Sequence, residues 1–101
     1  MTREQRPEPR QTFLVEHYRP GRDVAQLNRS IARVLQIVAE MGRAGEPVRC
    51  LSATIVPSDE SFFCLLEAAS EEVVSDVYTR ADMPFERVSA AICVQGEGEN
   101  P

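Results

Sequence analysis

The sequence contains no lysine, and all eleven of its basic residues are arginine. Because the use of arginine in place of lysine can reflect genome composition, this absence indicates no function. Basic charge is scarce in most of the chain: residues 23–101 carry six arginines against thirteen acidic residues, a net charge of −7. Proteins that bind nucleic acids need many Lys or Arg contacts to phosphate. The acidic body therefore argues against a nucleic-acid partner.

Cysteine is also scarce, and long apolar runs are missing. The three cysteines, Cys50, Cys64 and Cys93, are odd in number and have no Cys-x-x-Cys spacing, which excludes a disulfide framework and a zinc ribbon. No apolar run reaches about 18 residues, so no membrane span is expected. Residues 1–11 have no apolar segment like that of a signal peptide. The expected location is the cytoplasm, with reduced and mostly buried thiols.

The sequence lacks the common catalytic motifs: it has no Gly-x-Gly-x-x-Gly, P-loop, Gly-x-Ser-x-Gly or His-Glu-x-x-His. With a single histidine, His17, and no characteristic spacing of serine and aspartate, the sequence indicates no Ser-His-Asp catalytic triad. A length of 101 residues fits one domain. We predict a disordered arm over residues 1–11, a domain over 12–94, and a disordered acidic tail over 95–101.

Strand and helix patterns alternate along the domain in the order βαββαβ. The strand patterns cover residues 12–18, 48–56, 61–67 and 86–94. Asp23 and Ser70 are suitable N-caps for two helices. Their apolar stripes are Val24, Leu27, Ile31, Val34, Leu35, Val38 and Met41, and then Val73, Val74, Val77, Tyr78 and Ala81. Two helices on one face of a four-stranded antiparallel sheet, with right-handed crossovers, predict an α+β ferredoxin-like fold of strand order 4-1-3-2.

The face of the sheet without helices should be wet and polar, but the sequence places many apolar residues on it. Strand alternation assigns to this face Leu14, Glu16, Tyr18, Phe63, Leu65, Glu67, Ser89, Ala91 and Cys93. Because a monomer rarely exposes so large an apolar patch, we expect a homodimer that packs sheet against sheet about a two-fold axis. The alternative is a half-exposed sheet with scattered aromatic residues.

His17 and Cys64 are candidate metal ligands. They lie on neighbouring predicted strands, at positions that alternation assigns to the same face of the sheet. An imidazole together with a thiolate suits zinc, nickel or another divalent transition metal. The alternative, which the sequence favours, is a strand-end histidine with one hydrogen bond beside a buried core thiol.

Glu16, Tyr18 and Glu67 are candidate ligand-binding residues on the open face. If they are buried, the two carboxylates could share a proton, bind a cation or hold a ligand. Tyr18 could contribute its hydroxyl to the same cavity. The alternative is that each carboxylate meets water or an arginine such as Arg49 or Arg87, and that the tyrosine is an interface aromatic residue.

Three segments carry a family resemblance: residues 13–21 (FLVEHYRPG), 62–74 (FFCLLEAASEEVV) and 80–88 (RADMPFERV). Together they resemble small bacterial nickel-binding, ferredoxin-like proteins, over about residues 12–94. This resemblance implies a ferredoxin-like fold, a dimer and, in some members, nickel binding through a strand-one histidine at the position of His17. Metal-competent members also carry helix histidines, whereas this chain has Tyr78 at the second-helix position.

The sequence leaves three functions open. The first is a non-catalytic dimer that binds a metal or a small ligand, and the second is a small cofactor-free enzyme with its site in the cavity between the two sheets. The third is a regulatory interaction module. Of these, the sequence favours the non-catalytic binding protein; the enzyme rests on analogy between folds alone.

Overall fold

The computed structural model describes residues 11–94 and residue 96, so the predicted arm before Gln11 and most of the predicted tail lie outside the described residues. The elements are strand β1 (Gln11–Tyr18), helix α1 (Val24–Arg43), strand β2 (Val48–Val56), a short 3-10 helix (Pro57–Asp59), strand β3 (Ser61–Ala68), helix α2 (Glu71–Arg80) and strand β4 (Arg87–Ala91). The antiparallel sheet has the order β2-β3-β1-β4, which confirms the predicted ferredoxin-like fold.

Both helices begin at the predicted caps. A carboxylate oxygen of Asp23 accepts from the backbone N–H of Gln26 at 2.9 Å, and the Gln26 side chain accepts from the backbone N–H of Asp23 at 2.9 Å. Ser70 accepts from the backbone N–H of Val73 at 3.4 Å. These bonds satisfy amide groups that the first turn of a helix leaves without partners, so the local sequence determines where each helix starts.

The core lies between the two helices and one face of the sheet. Phe13, Val15 and His17 of β1 point into it, as do Phe62, Cys64 and Leu66 of β3. The predicted α1 stripe needs correction at three positions, because Ile37 is buried while Val24 and Leu35 are each 45% exposed. Leu35 follows Val34 by about 100° around the helix and so leaves the buried face. Within the described residues, neither helix is long and apolar enough to cross a membrane.

The last strand is shorter than predicted. β4 ends at Ala91, which pairs with Thr12, near the beginning of β1. Ile92 and Val94 lie beyond the strand and are 90% and 84% exposed. The predicted extension to Val94 is therefore wrong, because Ala91 is the last residue of β4 that pairs with β1.

Candidate functional site

The single histidine is buried beneath the helices, on the core side of the sheet. His17 is 1% exposed, and its Nδ1 lies 3.1 Å from the backbone oxygen of Pro84. Its ring stacks on Phe62 with centroids 4.3 Å apart and an interplanar angle of 15°. The ring of Tyr78 also contacts it, tilted by 52° at a centroid distance of 4.6 Å. This packing fixes the position and orientation of the imidazole.

The surroundings of His17 keep it neutral. Burial lowers its pKa to about 4, and the charge of Arg19 acts in the same direction, while the bond to Pro84 opposes the shift. Because a carbonyl oxygen only accepts, Nδ1 carries the proton and donates to Pro84. Nε2 then has a lone pair, is buried, and has no hydrogen-bond partner among the described residues. His17 therefore presents one unused acceptor to the core.

A second buried polar group lies beside this imidazole. The Tyr78 side chain is 1% exposed, and its hydroxyl completes no hydrogen bond of good geometry within the described part of the chain. Burial raises the pKa of Tyr78, and the adjacent Cys64 thiol adds to that effect. Sequence reasoning treated Tyr78 as part of an apolar stripe. The hydroxyl group itself marks Tyr78 as different from the aliphatic residues of the stripe, because the hydroxyl of a buried tyrosine usually forms a hydrogen bond.

Replacement of Tyr78 by phenylalanine tests this description. Removal of an unsatisfied buried hydroxyl relieves a desolvation penalty, so we expect Tyr78→Phe to raise the free energy of unfolding by about 1 kcal/mol. Urea denaturation measures the change. Tyr18→Phe is the matched control: its hydroxyl belongs to a side chain that is 51% exposed, and we expect no change there. A loss of stability in Tyr78→Phe would show that the hydroxyl has a bonding partner.

Two of these core residues, His17 and Cys64, are the candidate metal ligands. Cys64 pairs with Val15, and His17 pairs with Phe62, so the two candidate ligands lie on the same side of the sheet. The described residues, however, contain no group of three or more His, Cys, Asp or Glu side chains able to hold a metal ion. Square-planar or octahedral coordination needs at least about four donors. The donors described in one copy of the chain therefore do not fit nickel or another divalent transition metal.

The two candidate carboxylates share the open face but lie apart. Glu16 pairs with Phe63 and Glu67 pairs with Thr12. Their positions are four residues apart along β3, which is about 13 Å. Because of this separation, they do not share a proton or a cation.

Each of these carboxylates has its own arginine, as in the alternative that the sequence left open. Arg87 reaches a carboxylate oxygen of Glu16 at 3.0 Å, and Arg49 approaches one of Glu67 at 3.7 Å. Tyr18 lies at the end of β1, on the same face as Glu16. The three ligand-binding candidates thus occupy one face without forming one cluster.

A cleft of about 590 Å³ lies where β1 begins and β4 ends. Arg49 and Glu67 contribute charged groups to its lining, and Leu51 and Ile92 contribute apolar ones. The described structure thus places Glu67 at a cavity, while Glu16 and Tyr18 are not among the lining residues. Sequence reasoning missed Arg49 and Leu51 as lining residues, because their position depends on how β2 pairs with β3.

Comparison with known proteins gives one match in structure and one family match. No curated protein sequence matches the chain. The crystal structure of SCO4226 from Streptomyces coelicolor A3(2) matches with a TM-score of 0.68 and 22% sequence identity, over 83% of this chain and 99% of that one. At this level of sequence identity, the structural likeness shows a shared fold alone. The family model described as nickel responsive protein SCO4226-like matches residues 13–90, and the chain therefore belongs to the SCO4226-like family.

Proposed function

We propose that the chain is a non-catalytic homodimeric binding protein. Two copies pack open face against open face, and a small organic ligand binds in the cleft lined by Arg49 and Glu67. The observation that carries the proposal is the apolar centre of the open face. Leu14 is 37% exposed and pairs with Leu65 on one side and Ser89 on the other, and Phe63 and Leu65 are half-buried.

The composition of this face suits a second copy. Its apolar side chains come from adjacent strands and form one continuous patch, and each Å² removed from water contributes roughly 25 cal/mol. Glu16 and Glu67 are already paired with arginines of the same chain. A second copy therefore buries no unpaired charge, which is the main penalty at such an interface.

The cleft supports an organic ligand. Its volume of about 590 Å³ lies in the range of small-molecule sites, roughly 300–1,000 Å³. Arg49 and Glu67 offer charged contacts for the polar part of a ligand, and Leu51 and Ile92 offer apolar contacts for the rest. His17 lies on the other side of the sheet, so a ligand in the cleft meets no imidazole base. This separation supports binding rather than catalysis.

The dimer is tested by light scattering on size-separated protein. The wild type is expected to run as a dimer, and Leu65→Arg as a monomer with an unchanged helical circular dichroism spectrum. Leu35→Arg is the matched control, because Leu35 is an exposed leucine on α1, away from the open face. A monomeric wild type, or a dimer that survives Leu65→Arg, contradicts the sheet-to-sheet interface.

The ligand is tested by native mass spectrometry of gently purified protein. We expect a non-covalent adduct of low mass that is released on denaturation and lost in Arg49→Ala. Arg87→Ala is the control, since Arg87 lies on the same face but outside the lining of the cleft. Titration with nickel chloride supplies the contrary outcome. Stoichiometric nickel that disappears in His17→Gln would replace the organic ligand with a metal.

A further inference from the structure

The cleft at the beginning of β1 contains one charge of each sign, side by side. Arg49 of β2 pairs directly with Glu67 of β3, and Nε of Arg49 lies 3.7 Å from a carboxylate oxygen of Glu67. Among the described residues, no other Asp, Glu, Arg or His lines the cleft. A ligand that binds here therefore meets a positive and a negative group together.

The ion pair leaves both groups able to contact a ligand. A charge-assisted hydrogen bond from N–H to a carboxylate is about 2.7–2.9 Å long, so the separation of 3.7 Å is a looser contact. A guanidinium has several N–H donors, and a carboxylate accepts several hydrogen bonds at once. Arg49 is the outer group, since its side chain is 64% exposed against 28% for that of Glu67. A ligand at the mouth of the cleft therefore reaches the guanidinium first.

Two adjacent charges of opposite sign select the charge of the ligand. A ligand with a carboxylate alone is attracted by Arg49 but repelled by Glu67, and a ligand with an ammonium alone meets the reverse. A zwitterion places its carboxylate at Arg49 and its ammonium at Glu67, so that every charge has an opposite neighbour. In an α-amino acid both charges are attached to one carbon atom. This arrangement matches two protein groups that are themselves neighbours.

The remainder of the cleft suits an aliphatic side chain. Leu51 is the extra residue of a β-bulge, where the pairing of β2 with β3 shifts between Cys50 and Ser52, and it is half-buried in the lining. Ile92 also lines the cleft and is 90% exposed, so an aliphatic group against it removes apolar surface from water. The volume of about 590 Å³ leaves room for such a group beside a charged head.

We propose that the ligand in this cleft is an α-amino acid with an aliphatic side chain, bound as a zwitterion; this rests on the proposed function, in which the cleft holds an organic ligand. The guanidinium of Arg49 donates hydrogen bonds to the ligand carboxylate. The ligand ammonium donates to the carboxylate of Glu67. The aliphatic side chain packs against Leu51 and Ile92, which distinguishes the ligand from a small polar amino acid.

The experiment is an NMR titration of the full-length, isotope-labelled wild type with L-leucine, after dialysis until native mass spectrometry finds no adduct. We expect saturable shifts of the backbone amide resonances of Thr12, Leu51 and Glu67. Two analogues of the same shape each remove one charge: isocaproate lacks the ammonium, and leucinamide lacks the carboxylate. We expect each analogue to bind at least about tenfold more weakly, because one charged contact is lost. This comparison needs no variant to fold.

Variants then assign the carboxylate contact. We expect Arg49→Gln to weaken the binding of leucine about tenfold but not that of leucinamide, because the lost charge repels an ammonium. Arg87→Gln is the control, since Arg87 pairs with Glu16 on the same face but outside the lining, and we expect no change. Equal affinity for leucine and both analogues, or no saturable shift at the cleft, overturns the zwitterion. If gently purified protein still carries an adduct that depends on Arg49, the ligand class is wrong while the proposed function stands; without that adduct, both fail.

Discussion

Acidification from about pH 7 to pH 4 is expected to remove about 3 kcal/mol of stability through His17 alone. The pKa of His17 is about 4 in the folded chain, against 6.5 for an unperturbed histidine. As the pH falls through 6.5, the unfolded chain binds a proton that the folded chain does not take up until the pH approaches 4. The stability is therefore complete above that window and is lost progressively within it.

Urea unfolding at a series of pH values, for the wild type and His17→Gln, measures this effect. Asp and Glu residues contribute to both chains, so the difference between the two curves isolates the imidazole. Protein concentration is held constant, since association would also shift the apparent stability. Because the chain has a single histidine, no other imidazole contributes. Parallel curves for the two chains would mean that the pKa of His17 is the same in the folded and unfolded states, which would contradict the prediction.

Phe62→Ala is expected to cost about 3–5 kcal/mol, which is a large part of the roughly 5–15 kcal/mol that stabilises a typical domain. Phe62 is fully buried and stacks on His17, so its removal leaves a cavity in the core and takes away the ring on which the imidazole rests. The midpoint of urea or thermal unfolding measures the loss. We expect part of the variant to be unfolded at physiological temperature.

Phe63→Ala is the control for this prediction. Phe63 is the next residue along β3 and points to the open face, where it is half-buried. Its replacement leaves no core cavity, so we expect a smaller loss of stability and, under the proposed dimer, weaker association. Equal losses in both variants would contradict the assignment of the two faces.

The parts of the fold that depend on local sequence could be predicted. Asp23 and Ser70 indicated where the helices begin, because each side chain caps the turn that follows it. Alternation along β1 correctly placed His17 on the core side and Glu16 on the other. Strand order followed from element order, because few right-handed arrangements of βαββαβ exist.

The parts that depend on register could not be predicted. Alternation placed Glu16 and Glu67 on one face, but their separation depends on which residues of β1 and β3 are paired. The bulge at Leu51 shifts the pairing of β2 and has no unique sequence signal.

The central position of β1 has a consequence for synthesis on the ribosome. This first strand pairs with β3 and with β4, and the pairing of Phe13 with Ala90 spans nearly the whole described chain. β1 must therefore wait with both backbone edges unpaired until β3 emerges, and with one edge unpaired until β4 emerges. Unpaired edges of this kind invite pairing with other chains. The interval before β4 emerges is thus when a nascent chain most needs a chaperone.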